Sequence, residues 1–223
     1  MPPEREPHAV AARGRLIALE GREASGKSTQ ARLLAEALGA VLTREPGGTA
    51  TGERVRALLL HQDTGRIDAR TEALLMVADR AQHVSEVVEP ALLSGRWVVT
   101  DRFSASLLAY QGFGRGLDVD ELRRLTSWAT GGVSPDLTVL LDVPPETAAA
   151  RLSGELDRLE REDVAFHERV AAGYHALAAA DRATWAVVDG LGEATEVAGR
   201  VLAVVTERLG APADPARAGP GRT

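Results

Sequence analysis

The chain lacks cysteine altogether, which excludes disulfides and thiolate metal sites. It has no apolar run approaching the length of a membrane span. Its first residues contain no continuous apolar stretch, so no signal peptide is expected and the cytoplasm is the expected compartment. Positive charge is in deficit: 26 basic residues face 32 acidic ones, a net charge of −6. That balance argues against a general nucleic-acid binder. Internal repeats are absent. The five histidines show no metal-ligand spacing and read as surface or internally satisfied residues. Lysine is almost missing: among the 26 basic residues only Lys27 is a lysine.

What is present suits one domain. A chain of 223 residues, 44% hydrophobic and 26% charged, can build a single good core with room for a small lid. Residues 1–14 hold three prolines and scattered charges, and residues 210–223 are mainly Gly, Ala, Pro and Arg. Both read as disordered tails around a domain at 15–209.

The one lysine lies in Gly21-Arg22-Glu23-Ala24-Ser25-Gly26-Lys27-Ser28, the pattern G-x-x-x-x-G-K-[ST] of a phosphate-binding loop. The apolar run Leu16–Glu20 before it reads as a buried strand. Ala31, Leu34, Ala35 and Leu38 after it share one helical face, which Gly39 stops. In this setting glycines let backbone N–H groups approach phosphate, and the helix N-terminus adds partial positive charge. Lys27 is placed for β- and γ-phosphate oxygens and the Ser28 hydroxyl for Mg²⁺. Gly21 to Thr29 are therefore the candidate ATP-binding residues.

Further strands are predicted at 41–43, 97–100, 137–142 and 185–189. Helices are predicted at 53–60, 71–93 (interrupted near Pro90), 104–110, 118–129, 145–152, 164–180 and 193–209. Alternation of this kind means an α/β fold, a five-stranded parallel sheet flanked by helices. Ligands in such folds bind at the carboxyl ends of strands. The phosphate loop, Arg44-Glu45 and Asp101-Arg102 all fall at such ends. The guanine-reading N-K-x-D motif cannot occur without a second lysine, and the chain is small for a motor or helicase. A small-molecule kinase fits, with Arg44, Arg80 and Arg102 available for a second anionic substrate. Arg54, Arg56, Arg123 and Arg124 read as solvated helix faces.

The series Thr43-Arg44-Glu45-Pro46-Gly47-Gly48-Thr49, Ala78-Asp79-Arg80-Ala81-Gln82-His83, Asp101-Arg102-Phe103, Ala109-Tyr110-Gln111-Gly112, Leu140-Leu141-Asp142-Val143-Pro144-Pro145 and Glu155-Leu156-Asp157-Arg158-Leu159-Glu160 resembles the motifs of thymidylate kinases. The resemblance covers about residues 15–190, in the family's order. It implies a P-loop nucleoside monophosphate kinase fold with a small lid at about 152–163. It also implies a homodimer that transfers the γ-phosphoryl of ATP to dTMP with Mg²⁺. By motif position, Lys27 and Ser28 would serve the ATP phosphates and Mg²⁺, with Asp101 orienting the metal through water. Glu23 would lie near the acceptor sugar and phosphate, Arg44 and Arg102 would grip that phosphate, and Arg80 would hydrogen-bond a pyrimidine carbonyl. Met76, Phe103, Leu107, Tyr110 and Gln111 would complete the sugar and base pocket. Loop position 24 is Ala, so a catalytic arginine is expected from the lid region: Arg151 first, then Arg158, with Arg161 as a further candidate.

The chain departs from its relatives at three places. Met76 stands where many have a stacking Phe. Leu107 stands where a Ser, Thr or Asn commonly hydrogen-bonds the base. Ser153 stands where some carry another arginine. These changes keep open a relaxed selectivity that includes dUMP, a kinase for another nucleoside monophosphate, and a nucleotide-binding protein with impaired catalysis.

Overall fold

The computed structural model describes residues 13–151 and 156–212. Leu16–Glu20 forms β1, and all five residues are buried, as expected of a strand covered on both faces. Its alternate residues face opposite layers: Ile17 and Leu19 join one core cluster, Leu16 and Ala18 another. The other strands are β2 (Val41–Arg44), β3 (Val98–Asp101), β4 (Leu137–Asp142) and β5 (Trp185–Asp189). All pair in parallel, in the order β2-β3-β1-β4-β5. The register sets Leu19 beside Asp101, and Asp101 beside Arg44. Three motifs far apart in sequence thus finish at one level on one edge of the sheet.

Helices α1 (Lys27–Leu38) and α9 (Ala194–Leu209) cover one face, where Leu34, Val197 and Val201 pack on Leu19 and Val139. The other face carries α3 (Ala69–His83), α5 (Ser104–Leu107), α6 (Val119–Ala129) and α8 (Val164–Ala180). Tyr110, Phe166, Val170 and Tyr174 fill the core there. Short α4 (Glu89–Leu93) and α7 (Pro145–Arg151) complete the layers. Helix α2 (Ala50–Leu60) lies against α3.

The predicted long helix at 71–93 is not broken at Pro90. A π-helical turn, Val84–Val88, joins α3 to α4 and places Pro90 in the first turn of α4, where its missing N–H costs little. A second π-helical stretch, Leu108–Gly114, continues α5 beyond its expected end. Helix α2 starts at Ala50 rather than 53, because the Thr49 side chain accepts from Gly52 N and caps it.

Arg13 and Gly14, expected in the tail, are tied to the body: Gly14 N donates to Leu92 O at 2.8 Å and Arg13 pairs with Asp136. Residues 1–12 and 213–223 of the expected tails, and 152–155 of the expected lid with Ser153, lie outside the described residues. Residues 158–162, in the rest of the lid span, form turns with Leu159 buried. Among the described residues no helix is long and apolar enough to cross a membrane.

Candidate active site

β1 delivers the chain into the phosphate loop at Gly21, whose φ is 146° and where a Cβ would lie 2.6 Å from Leu141 O. Only glycine fits that approach. Gly26 precedes α1 with φ 95° and no side-chain cap, leaving first-turn N–H groups free for an anion. Lys27 is buried; its Nζ donates to Arg22 O at 2.6 Å and lies 3.5 Å from Ser25 Oγ. Burial and the neighbouring Arg102 push its pKa down to about 8, against the pull of Glu23 and Asp101. The Arg22 side chain faces a separate groove of about 650 Å³ on the α8 side, with Asp142 and His175. Arg22 therefore serves the loop through its carbonyl.

Ser28 Oγ donates to Asp101 Oδ2 at 2.5 Å. The other oxygen, Asp101 Oδ1, is buried and has no partner among the described residues. A hydroxyl and a half-satisfied carboxylate, both hard oxygen donors, face the loop that would hold phosphates. That donor set suits a cation such as Mg²⁺, which is bound by few protein oxygens together with phosphate and water.

Arg102, just after β3, is a non-glycine residue at φ 71°, strain that the surroundings must hold in place. Its Nη1 donates to Gly21 O (3.3 Å), Ser106 Oγ (3.2 Å) and Tyr174 OH (3.1 Å). Its Nη2 donates to Glu23 Oε1 (2.5 Å) and Tyr110 OH (3.2 Å). Burial alone would raise the Glu23 pKa, but Arg102 and Lys27 outweigh it and hold the carboxyl at about 2. Behind Arg102, Glu20 is fully buried, accepting from Phe103 N (2.9 Å), Ser106 Oγ (2.7 Å) and Tyr174 OH (2.9 Å). Burial raises its pKa above the usual carboxylate range despite these bonds.

At the far end, buried Arg80 donates through Nε to Glu45 Oε2 (2.8 Å) and through Nη2 to Phe103 O (3.0 Å). Its Nη1 has no partner among the described residues. Glu45 Oε1 meets His83 Nδ1 at 2.8 Å, and His83 Nε2 meets Thr43 Oγ1 at 2.6 Å, so this histidine is internally satisfied. Asp79 Oδ1 accepts from Gly47 N at 3.0 Å, while burial and then Glu45 push the Asp79 pKa up to about 7. Met76, Phe103, Leu107, Tyr110 and Gln111 line a pocket with Arg80.

A cleft of about 910 Å³ runs from the phosphate loop past Arg44, Asp101 and Arg102 to Arg56, Asp157 and Glu160. Glu23 and Arg102 line both this cleft and the Arg80 pocket, so the two spaces meet at that ion pair. Arg44 pairs with Glu53 at the mouth, 2.8 Å apart. Arg151 lines the cleft and also an adjoining recess of about 260 Å³ formed by Thr29, Gln30, Gly190, Gly192 and Ala194. Its Nη2 donates to Gly190 O at 3.2 Å. Arg158 does not line the cleft: Nη2 donates to Glu72 Oε2 at 2.5 Å and Nε to Leu59 O at 2.7 Å. Arg161 bonds the Leu156 carbonyl.

Arg56 departs from the expected solvated face. It donates to Pro46 O at 2.9 Å and lines both spaces, because α2 packs its inner edge over the 45–48 loop. Glu20, Glu72, Ser106 and Tyr174 were not singled out from the sequence. Only Glu20, the single charge in the first strand's apolar run, carried a local signal.

Comparison with known proteins agrees with this geometry. The sequence model of the family described as thymidylate kinase matches residues 19–201. The chain is 50% identical over 198 residues to a thymidylate kinase of Synechococcus sp. (strain JA-2-3B'a(2-13)), covering 86% of this chain and 95% of that one. It is 47% identical over 207 residues to that of Solidesulfovibrio magneticus, covering 86% and 99%. The crystal structure of thymidylate kinase from Ehrlichia chaffeensis superposes with a TM-score of 0.73 at 32% identity, over 86% of this chain and 98% of that one. With a P-loop, a 2-3-1-4-5 parallel sheet and this match along most of its length, the chain belongs to the thymidylate kinase family.

Proposed function

We propose that the protein transfers the γ-phosphoryl group of ATP to dTMP, giving dTDP and ADP. The observation that carries this reading is the placement of Arg102 between the phosphate-loop cleft and the Arg80 pocket. A donor on the loop and an acceptor in the pocket meet there end to end, the alignment that in-line displacement needs. The acceptor phosphate is already an anion, so no strong base is required. The protein's task is to neutralise and position charge. Lys27 exchanges the Arg22 carbonyl for β- and γ-phosphate oxygens. Arg102, with Arg44, takes the acceptor phosphate, while Glu23 stays ionised beside the acceptor sugar. Arg151, bordering cleft and recess, supplies charge from the donor side, and the recess at Gly190–Ala194 takes the donor base. Ser28 and Asp101 would hold Mg²⁺, which when bound with ATP neutralises phosphate charge. Arg158 acts through Glu72 at the edge of the acceptor pocket.

Arg80 Nη1, without a partner among the described residues, supports a contact to a pyrimidine carbonyl. Met76 covers the base face, and Leu107 offers it no hydrogen bond. We place the protein in the cytoplasm as a homodimer. Leu58, Leu74 and Trp128 are 50%, 55% and 82% exposed on α2, α3 and α6, an apolar set that a second copy would cover.

The test is ADP release from Mg-ATP with dTMP, dUMP, dCMP, dAMP and dGMP as acceptors. The expected order puts dTMP first, with dUMP within about tenfold in kcat/KM, the low end of what one methyl group is worth. A purine monophosphate in first place would overturn the acceptor assignment, and a dTMP preference far above tenfold over dUMP would overturn the relaxed selectivity.

A further inference from the structure

Glu72 is fully buried on α3, one and two turns before Met76 and Arg80, and so shares their face of the helix. Its two oxygens collect four donors. Arg115 Nε (3.1 Å) and Gln111 Nε2 (2.8 Å) reach Oε1; Arg115 Nη2 (3.1 Å) and Arg158 Nη2 (2.5 Å) reach Oε2. Burial works to raise its pKa, but the bonds from Arg115 and Gln111 outweigh that and keep it ionised. An ionised carboxylate is acceptor-only, so the Gln111 amide has one allowed orientation, with its NH₂ toward Glu72. Gln111 lines the Arg80 pocket, whereas Glu72 does not. Among the described residues no donor reaches Gln111 Oε1. The amide carbonyl is thus the polar atom left for the pocket.

We propose that Glu72 is a positioning residue for base selectivity: by accepting the Gln111 NH₂ it turns the Gln111 carbonyl toward the acceptor base, where it accepts N3–H. Thymine and uracil carry that proton; cytosine presents a lone pair at N3 and is repelled. The inference rests on the acceptor base occupying the Arg80 pocket. Arg115 and Arg158 fix the carboxylate, and through Arg158 the expected lid span is linked to the reading of the base.

The test is a set of acceptor specificities on the full chain. In Glu72→Gln, the new carbonyl takes the two arginine donors at the Oε2 position, and the new NH₂ faces Gln111, favouring the flipped amide. The ratio of kcat/KM for dTMP over dCMP should fall at least about tenfold, with KM for ATP unchanged. Gln111→Leu should lose the same discrimination without a flip. A folded Glu72→Gln enzyme with an unchanged ratio, beside a Gln111→Leu enzyme whose ratio collapses, overturns the role of Glu72 alone. Unchanged ratios in both variants overturn the placement of the base itself. Wild-type enzyme offers a check that needs no variant: 3-methyl-dTMP, which lacks N3–H, should be at least about 10²-fold poorer than dTMP. Equal use of the two acceptors refutes the proposal.

Discussion

Replacing Arg102 with alanine removes the group on which the acceptor side is built. The wild-type guanidinium makes five hydrogen bonds through Nη1 and Nη2, to Gly21 O, Ser106, Tyr174, Glu23 and Tyr110. An aimed donor lost from a developing oxyanion typically costs about 10²–10³ in rate, or about 3–4 kcal/mol. The expected loss in kcat/KM for dTMP is therefore about 10³-fold. KM for ATP should stay within about threefold, because the recess at Gly190–Ala194 does not include Arg102. Stability should fall as well. Glu23, held near 2 against an ordinary 4.5, contributes stability above pH 4.5 that is lost as pH falls toward 2. That shift is worth about 3 kcal/mol, and Arg102 is the largest of the groups that lower it, ahead of Lys27. Initial rates varied in dTMP and ATP separately, with a denaturant melt on the same sample, resolve the two effects. Arg102→Lys should recover part of the stability and little of the rate, since an ammonium cannot replace the fork. An Arg102→Ala enzyme within tenfold of wild type in dTMP use would refute the reasoning.

Three further outcomes are expected. Lys27→Ala should lower kcat at least about 10²-fold, with fold retained; near-normal turnover would remove Lys27 from the mechanism. In wild type, the Lys27 pKa of about 8 implies that KM for ATP rises with pH above 8, as the free enzyme loses the cation that phosphate needs. Asp79, raised from 3.8 to about 7 beside Glu45, Arg80 and His83, binds its proton more tightly folded than unfolded. Its contribution to stability is thus fully present below pH 3.8 and is lost as pH rises through 7, at up to about 1.4 kcal/mol per unit. Asp79→Asn should flatten the decline in denaturation midpoint between pH 4 and 7. Parallel curves for the two proteins would contradict the raised value.

The parts of the fold that sequence made legible are those set by local chemistry. The apolar runs at Leu16–Glu20 and Leu137–Asp142 gave strands at their expected bounds, and the glycine spacing at Gly21–Lys27 gave the loop. The convergence of Arg44 and Asp101 followed from parallel strands ending at one level. The π-helical turns were not legible, since a single added residue per turn does not disturb an apolar period enough to stand out. Nor were the long-range polar contacts. Tyr174 and Glu20 lie 154 positions apart, and Glu72 looks like any acid in a helix until Gln111, Arg115 and Arg158 fold onto it. The place of Arg56 was not legible for the same reason: a helical period tells which side is polar, not that a loop lies across it.

The central claim is that one continuous site seats donor and acceptor on either side of Arg102. It is tested most directly with a single molecule joining adenosine and thymidine through a chain of phosphates, used as an inhibitor in steady-state assays. Competition against both ATP and dTMP, with affinity well above that of either nucleotide, is the predicted result. Competition against one substrate alone would mean that the cleft and the Arg80 pocket do not form one catalytic site.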